Sequence, residues 1–482
     1  MAAPVRATWA KTHSTAVCLV PPRSLWPRIQ ESRVFNDKSF TRWPPHVNLL
    51  YPFVKAAHLE EAARVAAAAL RPFRPFEVTL RELGFFEHGR SCTLWAQPKS
   101  PELLEVQAAL VAAFPQCSDL SCDPARGITA FTPHLSLGQW RTRQAVAEAA
   151  EAARRGAWAT PAAFSASGVA LLSRTGFLEP FSVRWWVPFG GGAPLQVDVP
   201  YIASMGDGGA AGAAAAATGS GGDAGSGGGM AGAGGAAAAA ATGVRPAVQQ
   251  QQATRLDFGL GGARADASVW QFAYGANMSP TKLGGARGIH PLESLPAVLP
   301  GWRLAFDHRG GMGSLAQLAP GEDAPGGLPG AQGVLHRLSA ADYGRLVNME
   351  HEYLPVEVKV QPCGGAEPLP AVALVTPAAA RIAAGLPPPQ RYLSLLQEGA
   401  HHWELDPRYT AWLDSLPSVD SRDRGDAYYT AAASGEPLPA LPKIRTGSQP
   451  QQGRGGGRGG RGGGRGGGRR SGERRGGERQ GT

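Results

Sequence analysis

The fold of the first half of the chain is decided by two short strings, Pro45-His46-Val47-Asn48-Leu49-Leu50-Tyr51-Pro52 and Pro133-His134-Leu135-Ser136-Leu137-Gly138. Each is an apolar strand that begins at a histidine and carries a small hydrogen-bonding residue two positions later. Side chains at positions i and i+2 of a strand lie on the same face. If the two strands are neighbours, His46 with Asn48, and His134 with Ser136, project as two pairs into one groove.

The sequence around these strings alternates between strand-like and helix-like stretches from about residue 14 to residue 189. Apolar or alternating runs predict strands, and apolar residues three or four positions apart predict helices. Strands are predicted at 15–20, 48–54, 76–83, 92–96, around 135, 168–173 and 181–187, and helices at 59–70, 102–114 and 143–155. This order predicts an α+β domain over residues 1–192 with two similar halves.

A second globular domain is predicted over residues 269–417. Its predicted strands are 270–274, 302–306, 333–338, 356–360 and 371–375, and its predicted helix is 390–399. Residues 193–268 are dominated by Gly and Ala and have too few large apolar side chains to offset the entropy of ordering, so we expect a disordered linker. Residues 418–482 lose periodicity and are expected to be disordered as well. The predicted fold class is α+β, with two globular domains separated by the linker.

The positive charge is concentrated at one end of the chain. The net charge is +9, and +7 of it lies between Arg454 and Thr482, which contain nine arginines and two glutamates. The preceding residues are nearly neutral, so a general basic-protein interpretation applies to the tail alone. The five cysteines show no paired spacing, which favours a reducing compartment, the cytoplasm or the nucleus, and no structural zinc. We expect no membrane partner, because Gly interrupts the long apolar run throughout.

Two matched histidines suit the chemistry of a phosphodiester. One imidazole takes a proton from the attacking water or 2′-hydroxyl, and the other protonates the leaving oxygen, while short polar residues hold the phosphate oxygens. Histidine serves both roles because its ordinary pKa lies near neutrality. No metal or cofactor is needed. One such histidine alone is more often a structural strand residue, whereas two copies in matched Pro-His-aliphatic strings favour catalysis.

These two strings resemble those of the two-histidine phosphoesterases, the superfamily of 2′-5′ RNA ligase-like and cyclic nucleotide phosphodiesterase proteins. The resemblance covers residues 14–189. It implies a bilobal α+β fold, a cleft lined by both motifs, and 2′,3′-cyclic or 2′-5′ phosphodiesters of RNA or nucleotides as substrates. Asn48 stands where this family usually has Thr or Ser. Its amide can still donate to a phosphate oxygen but has a longer reach, so binding is expected more firmly than turnover.

The second domain opens with a strand that runs into a glycine turn, Phe272-Ala273-Tyr274-Gly275-Ala276-Asn277-Met278. Gly275 lets the backbone approach a ligand, and exposed N–H groups after such a turn can hold a carboxylate or an oxyanion. Alone, this string indicates only a turn in most proteins.

The order of motifs from this turn onward resembles the γ-glutamylcyclotransferase family over residues 269–417. Those motifs are Tyr274 to Asn277, Arg287-Gly288-Ile289, Pro300 to Leu304, Gly333 to Leu335, Leu346 to Glu350, Tyr353 and Arg391 to Leu393. The resemblance implies a mixed β-barrel with helices that grips a γ-glutamyl small molecule. The substrate α-amine attacks the γ-carbonyl, and 5-oxoproline and an amine or amino acid are released.

The same resemblance implies the site residues of this second domain. Glu350 is the candidate acid and base, and the candidate substrate-binding residues are Tyr274, Gly275, Ala276, Asn277, Met278 and Tyr392. Glu352 is a rival for the glutamate, since both carboxylates follow the same helix-like stretch. A partly buried carboxylate with apolar neighbours such as Met349 and Tyr353 suits proton exchange with an amine. Ala276 replaces a common family Ser, and 312–318 is glycine-rich where the family has another strand.

The chain ends in repeats of Arg-Gly-Gly that resemble the RGG boxes of RNA-binding proteins. Arg454, Arg458, Arg461, Arg465 and Arg469 are spaced by glycine and supply phosphate contacts and base stacking without fixed sequence readout. The alternative is a tail that only raises solubility. The sequence as a whole predicts a two-enzyme fusion with an RNA-binding tail; the alternative is an RNA-binding adaptor whose enzyme-like domains bind ligands without turnover.

Overall fold

A computed structural model of the 482-residue chain describes residues 9–205, 268–382 and 387–419, together with the backbone of residues 444 and 445. The described residues up to 447 belong to one compact unit. Most of the predicted linker and the arginine-glycine tail lie outside the described residues. Within these ranges, no helix has the length and the apolar character needed to span a membrane.

The first segment is built on a nine-stranded antiparallel sheet in the order β11-β10-β9-β2-β3-β7-β6-β5-β8. Its strands are β2 (Thr15–Leu19), β3 (Val47–Leu50), β5 (Phe76–Glu87), β6 (Cys92–Lys99), β7 (Leu135–Trp140), β8 (Ala162–Ala166), β9 (Gly168–Ser173), β10 (Ser182–Pro188) and β11 (Leu195–Pro200). A separate ribbon pairs β1 (Lys11–Thr12) with β4 (Phe53–Val54). Strands β3 and β7, which follow directly after His46 and His134, are neighbours in this sheet.

Four helices accompany this sheet, and three of them match predicted helices. They are α1 (Trp26–Asn36), α2 (Leu59–Ala69), α3 (Pro101–Ala113) and α4 (Arg143–Arg155). Apolar side chains of α2, α3 and α4 pack on one face of the sheet in a first apolar cluster. Helix α1 has no apolar periodicity because Gln30 and Arg33 are among the side chains that it buries, so pattern reading did not predict it.

The second segment folds around a closed five-stranded barrel in the order β12-β16-β13-β17-β18. The barrel strands are β12 (Ser268–Ala273), β13 (Glu293–Pro300), β16 (Gly330–Ser339), β17 (Leu354–Pro362) and β18 (Leu369–Val375). A hairpin of β14 (Trp302–His308) and β15 (Met312–Gln317) lies beside them, with α5 (Ala340–Met349), α6 (Gln390–His402) and α7 (Pro407–Ser415). A final pair joins β19 (Ser418–Val419) to β20 (Ile444–Arg445). The mixed barrel with helices agrees with the predicted architecture.

The first segment continues beyond residue 192, where the linker was predicted to begin. Strand β11 pairs with β10, with Leu195 opposite Trp186. The five residues after it, 201–205, are all buried. The Tyr343 hydroxyl of α5 donates to the Ala203 carbonyl at 2.6 Å, and the Met205 amide donates to the Pro355 carbonyl at 3.0 Å. The ordered chain therefore reaches the second segment before the linker composition begins.

The two segments share a second apolar cluster on the other face of the sheet. Trp26, Trp43 and Phe181 come from the first segment, and Tyr343 and Leu346 come from α5. Tyr343 is 1% exposed and Trp43 is 8% exposed. An ion pair between Arg23 and Glu357 crosses the same interface. The sequence did not predict this contact, because the glycine-rich composition of a linker says nothing about the surfaces of the segments on either side of it.

Candidate functional sites

Strand pairing brings the two histidines to one groove. Val47 of β3 pairs with Leu135 of β7, and both side chains lie in the first apolar cluster. In an antiparallel pair this register sets His46 opposite Ser136 and Asn48 opposite His134. Because side chains alternate along a strand, these four residues project from the opposite face of the sheet. The two polar pairs expected from the sequence therefore converge.

The two histidines are held in the same orientation. The Nδ1–H of His46 donates to the Pro44 carbonyl at 2.7 Å, and the Nδ1–H of His134 donates to the Thr132 carbonyl at 2.9 Å. In each case the acceptor lies two residues before the histidine. A carbonyl can only accept, so the proton of each neutral ring resides on Nδ1 and the Nε2 atoms carry the reactive lone pairs.

Asn48 contacts the reactive nitrogen of its neighbour. Its Nδ2 lies 3.1 Å from Nε2 of His46, and its Oδ1 accepts from the Cys18 thiol at 3.1 Å. Burial raises the pKa of Cys18, which keeps the thiol protonated as a donor. In this conformation the Asn48 amide donates to the Nε2 lone pair of His46. The sequence had predicted that this amide would donate to a phosphate oxygen.

Both imidazoles contact aromatic rings, and burial keeps them neutral. Trp43 stacks on His46 with centroids 4.4 Å apart, and Phe86 meets His134 edge to face at 5.0 Å. Burial lowers the pKa of His46 to about 4, and the Arg33 guanidinium acts in the same direction. Burial also lowers the pKa of His134. Both rings are thus bases at neutral pH in the empty groove.

The second site is a cavity of about 590 Å³ at the end of the barrel. Five of the predicted residues line it: Tyr274, Gly275, Ala276, Asn277 and Tyr392. Both candidate glutamates line it too, with Lys282, Arg287, Arg309 and Arg391 among the cations. Met278 is fully buried and packs in the barrel core, away from the cavity wall.

Glu350 lies in this cavity with two donors on one oxygen. Its Oε1 accepts from Asn277 Nδ2 at 3.0 Å and from Arg287 Nη2 at 2.5 Å. The Glu350 side chain is 19% exposed and that of Arg287 is 13% exposed. Asn277 is held in turn by His336, whose Nε2 lies 3.2 Å from the Asn277 carbonyl. In the sequence, Arg287 was noted only as part of a motif. A partly buried carboxylate needs a cation nearby, and this need could have identified Arg287 as the partner of Glu350.

Glu352, the rival carboxylate, has different partners. It pairs with Arg309, and its Oε2 lies 3.2 Å from Nε2 of His308. Its side chain is 34% exposed, more than that of Glu350. Burial lowers the pKa of His308 to about 4, so this ring is neutral at physiological pH. Glu350 is therefore the more enclosed of the two carboxylates and the one that contacts the glycine turn.

Tyr392 closes the cavity against two glycines. Its hydroxyl oxygen accepts from the Gly313 amide at 3.0 Å, which leaves the phenolic proton for another acceptor. A Cβ at Gly275 would lie 2.7 Å from this oxygen, and one at Gly313 would lie 2.6 Å from it. Burial raises the pKa of Tyr392, so the hydroxyl stays a donor. Gly313, in the 312–318 stretch noted in the sequence as a departure, thus makes room for Tyr392.

The remaining predicted residues are accounted for as follows. The Tyr274 hydroxyl donates to the Leu374 carbonyl, so it supports the cavity wall. Ser136 lies on β7, in the histidine groove. Arg454, Arg458, Arg461, Arg465 and Arg469 lie outside the described residues. In the described part of the chain, no group of three or more His, Cys, Asp or Glu is arranged to hold a metal ion.

Replacement of Gly275 by Ala tests the packing of Tyr392. We expect Gly275→Ala to lower the free energy of unfolding by about 1–3 kcal/mol, since the new methyl overlaps the phenolic oxygen. Tyr392→Phe in the same chain removes that oxygen and should restore most of the loss. Urea unfolding measures both, with Gly285→Ala as control because a Cβ there meets nothing within 4 Å. A double mutant as unstable as Gly275→Ala alone would contradict the contact between Gly275 and the Tyr392 hydroxyl.

Comparisons with known proteins match the two segments separately. The family model described as the 2′-5′ RNA ligase superfamily matches residues 21–176. A curated relative, gamma-glutamyl cyclotransferase gliK of Aspergillus fumigatus, is 29% identical over 178 residues, which are 32% of this chain and 63% of that protein. The chain thus spans less than two thirds of this relative.

Two solved structures are among the matches. A structure named gamma-glutamyl cyclotransferase is 18% identical and covers 35% of this chain and 99% of its own, with a TM-score of 0.27. The crystal structure of E. coli LigT complexed with phosphate is 14% identical and covers 37% of this chain and 96% of its own, with a TM-score of 0.24. The family model supports the first resemblance over residues 21–176, and the curated relative supports the second at low identity.

Proposed function

We propose that the chain is an enzyme with two sites, a γ-glutamylcyclotransferase in the barrel and a metal-independent phosphodiesterase in the histidine groove. The observation that carries the first activity is the Glu350 carboxylate in a cavity walled by Gly275, Asn277 and Tyr392. The observation that supports the second is the matched pair of imidazoles with their Nε2 atoms free of backbone contacts. The family matches to each segment support both.

The cavity suits the charged head of a γ-glutamyl group. Asn277 Oδ1 is buried and has no hydrogen-bond partner among the described residues, so it can accept from the substrate ammonium beside Glu350. Lys282 and Arg391 line the same cavity and attract the substrate α-carboxylate. These contacts direct the α-nitrogen towards the γ-carbonyl carbon. Holding both reacting atoms of one molecule in this way lowers the entropic part of the barrier.

Glu350 then moves two protons in turn from the α-nitrogen to the leaving nitrogen. Its carboxylate takes a proton from the α-ammonium, and the free amine attacks the γ-carbonyl carbon to give a tetrahedral oxyanion. The Tyr392 hydroxyl, which already accepts from Gly313, donates to this oxyanion. Glu350 returns the proton to the leaving nitrogen as its bond to carbon breaks, and then takes the second proton from the new ring nitrogen and passes it to the released amine. The products are 5-oxoproline and an amine or amino acid.

Replacement of Glu350 tests this assignment. Glu350→Gln cannot carry the proton, so we expect 5-oxoproline formation from γ-glutamyl amides to fall about 10²–10⁴-fold. Glu352→Gln is the matched control and should remain within about tenfold, because that carboxylate pairs with His308 and Arg309. Product is measured by chromatography. Equal losses in both variants, or none in Glu350→Gln, would rule Glu350 out as the proton carrier.

In the groove, the two imidazoles take opposite roles. Neutral His46 removes a proton from water or a 2′-hydroxyl as that oxygen attacks phosphorus, and protonated His134 donates to the leaving oxygen. The base must be neutral, which requires a pH above the His46 pKa of about 4. The acid must be protonated, which requires a pH below the pKa of His134, and burial lowers that pKa.

The pH profile of phosphodiester cleavage follows from these two conditions. We expect kcat/KM for a 2′,3′-cyclic nucleotide to fall as the pH drops below about 4, where His46 is protonated, and to fall again as the pH rises through the lowered pKa of His134, because kcat/KM reports the free enzyme. His46→Ala should lower it about 10²–10⁴-fold at the optimum. Rates measured without added metal give the profile. A rate that keeps rising to pH 8 would contradict these roles.

A second function for the groove is binding without turnover, and one contact favours it. Asn48 Nδ2 lies 3.1 Å from His46 Nε2 and must leave before the ring can act as a base. If the wild-type groove binds a phosphodiester without turnover, Asn48→Thr should acquire cleavage of a cyclic phosphate. Asn48→Gln keeps the amide and is the control. If wild type already turns over and Asn48→Thr adds nothing, the binding-only function is wrong.

The arginine-glycine tail is proposed to bind RNA by charge and stacking. Removal of Arg454–Thr482 should abolish most nonspecific affinity for single-stranded RNA and leave activity on small substrates unchanged. Filter binding at several salt concentrations compares the two chains. Equal RNA affinity of the full and truncated chains would show that the tail is not the RNA-binding element.

A further inference from the structure

One loop of the first segment contacts the histidine groove and the helix that precedes Glu350. It runs from Asp37 to Trp43, between α1 and β3. Trp43 stacks on His46, and the Thr41 hydroxyl is bonded to the side chain of Asn348 on α5. Asn348 lies two residues before Glu350. The same seven-residue loop thus contacts His46 of the first segment and the helix that precedes Glu350 of the second.

The loop is held rigidly by a buried ion pair. Arg33 is 2% exposed and donates to Asp37 Oδ2 at 2.8 Å and to the Trp43 carbonyl at 2.9 Å. Asp37 Oδ1 accepts from the Ser39 amide at 2.8 Å and from Gln139 Nε2 at 3.1 Å. A buried network in which every member is bonded has one preferred geometry. The loop therefore presents Thr41 at a fixed place.

Thr41 meets the last turns of α5 on one face. It is 5% exposed, and its Cβ lies 3.6 Å from the place where a Cβ of Gly344 would be. Its Oγ1 accepts from Asn348 Nδ2 at 3.1 Å. Gly344 and Asn348 are four residues apart and so lie on the same side of the helix. Thr41 ties the end of α5 to the first segment.

The end of α5 is where Glu350 takes its position. The Glu350 amide donates to the Leu346 carbonyl at 3.0 Å, and the Tyr353 amide donates to the Glu350 carbonyl at 2.9 Å. Helix ends open more readily than helix centres, because their last carbonyls lack partners within the helix. A side-chain bond that restrains the final turn therefore restrains the carboxylate that follows it.

We propose that Thr41 is a positioning residue for Glu350, acting through Asn348 and the last turn of α5. Its kinetic effect rests on the proposed cyclotransferase function, and its effect on the helix end does not. The barrel site is then incomplete without the first segment. This gives the shared apolar interface a role in the chemistry of the second segment.

The test is made in the full chain with three variants. Thr41→Val removes the hydroxyl and keeps the branched shape, Thr41→Ser keeps the hydroxyl, and Thr160→Val is the control at an exposed threonine. Amide hydrogen exchange of Glu350 and Tyr353 reports the helix end, and amides of β16 report general loosening. The rate of 5-oxoproline formation gives kcat and KM.

Thr41→Val should speed exchange of the Glu350 and Tyr353 amides about tenfold without changing β16, and should lower kcat about fivefold with KM within about twofold. Thr41→Ser should stay within about twofold of wild type in both measurements. Unchanged exchange in Thr41→Val would overturn the proposal, as would a Thr41→Ser variant as impaired as Thr41→Val. If wild type forms no 5-oxoproline, the cyclotransferase function fails, and hydrogen exchange still decides the role of Thr41.

Discussion

The apolar cluster between the second face of the sheet and helix α5 links the segments that carry the two candidate active sites. Trp43 and Tyr343 are nearly completely buried there, one from each segment. Burial of one such aromatic side chain contributes roughly 4–6 kcal/mol as an upper estimate. The two candidate sites flank this cluster, since Trp43 stacks on His46 and α5 ends at Glu350. Separating the segments would expose the cluster and release both sites from their supports.

The sequence predicted which side chains lie together in each candidate site better than it predicted their hydrogen-bond partners. His46 and His134 were found because two strands repeat the same pattern, and strand periodicity alone places each pair on one face. Glu350 was found from motif order. The contacts of Asn48 with His46, and of Arg287 with Glu350, join residues far apart in the sequence or depend on rotamers, so no local pattern reveals them.

The interface was hidden for a related reason. Helix α1, which supports it, buries Gln30 and Arg33 in place of an apolar stripe, so its periodicity is weak. Residues 201–205 were included in the predicted linker over 193–268, although every one of them is buried. Polar burial and contact between segments are tertiary properties, whereas composition and periodicity report local ones.

Differential scanning calorimetry of the full chain tests most directly whether the two segments form one structure. We predict a single transition whose calorimetric and van't Hoff enthalpies agree, because the shared cluster cannot be lost from one segment alone. Tyr343→Ala, which removes a buried side chain of α5, should shift that whole transition to lower temperature. Two separate transitions, with Tyr343→Ala moving only one of them, would contradict the account.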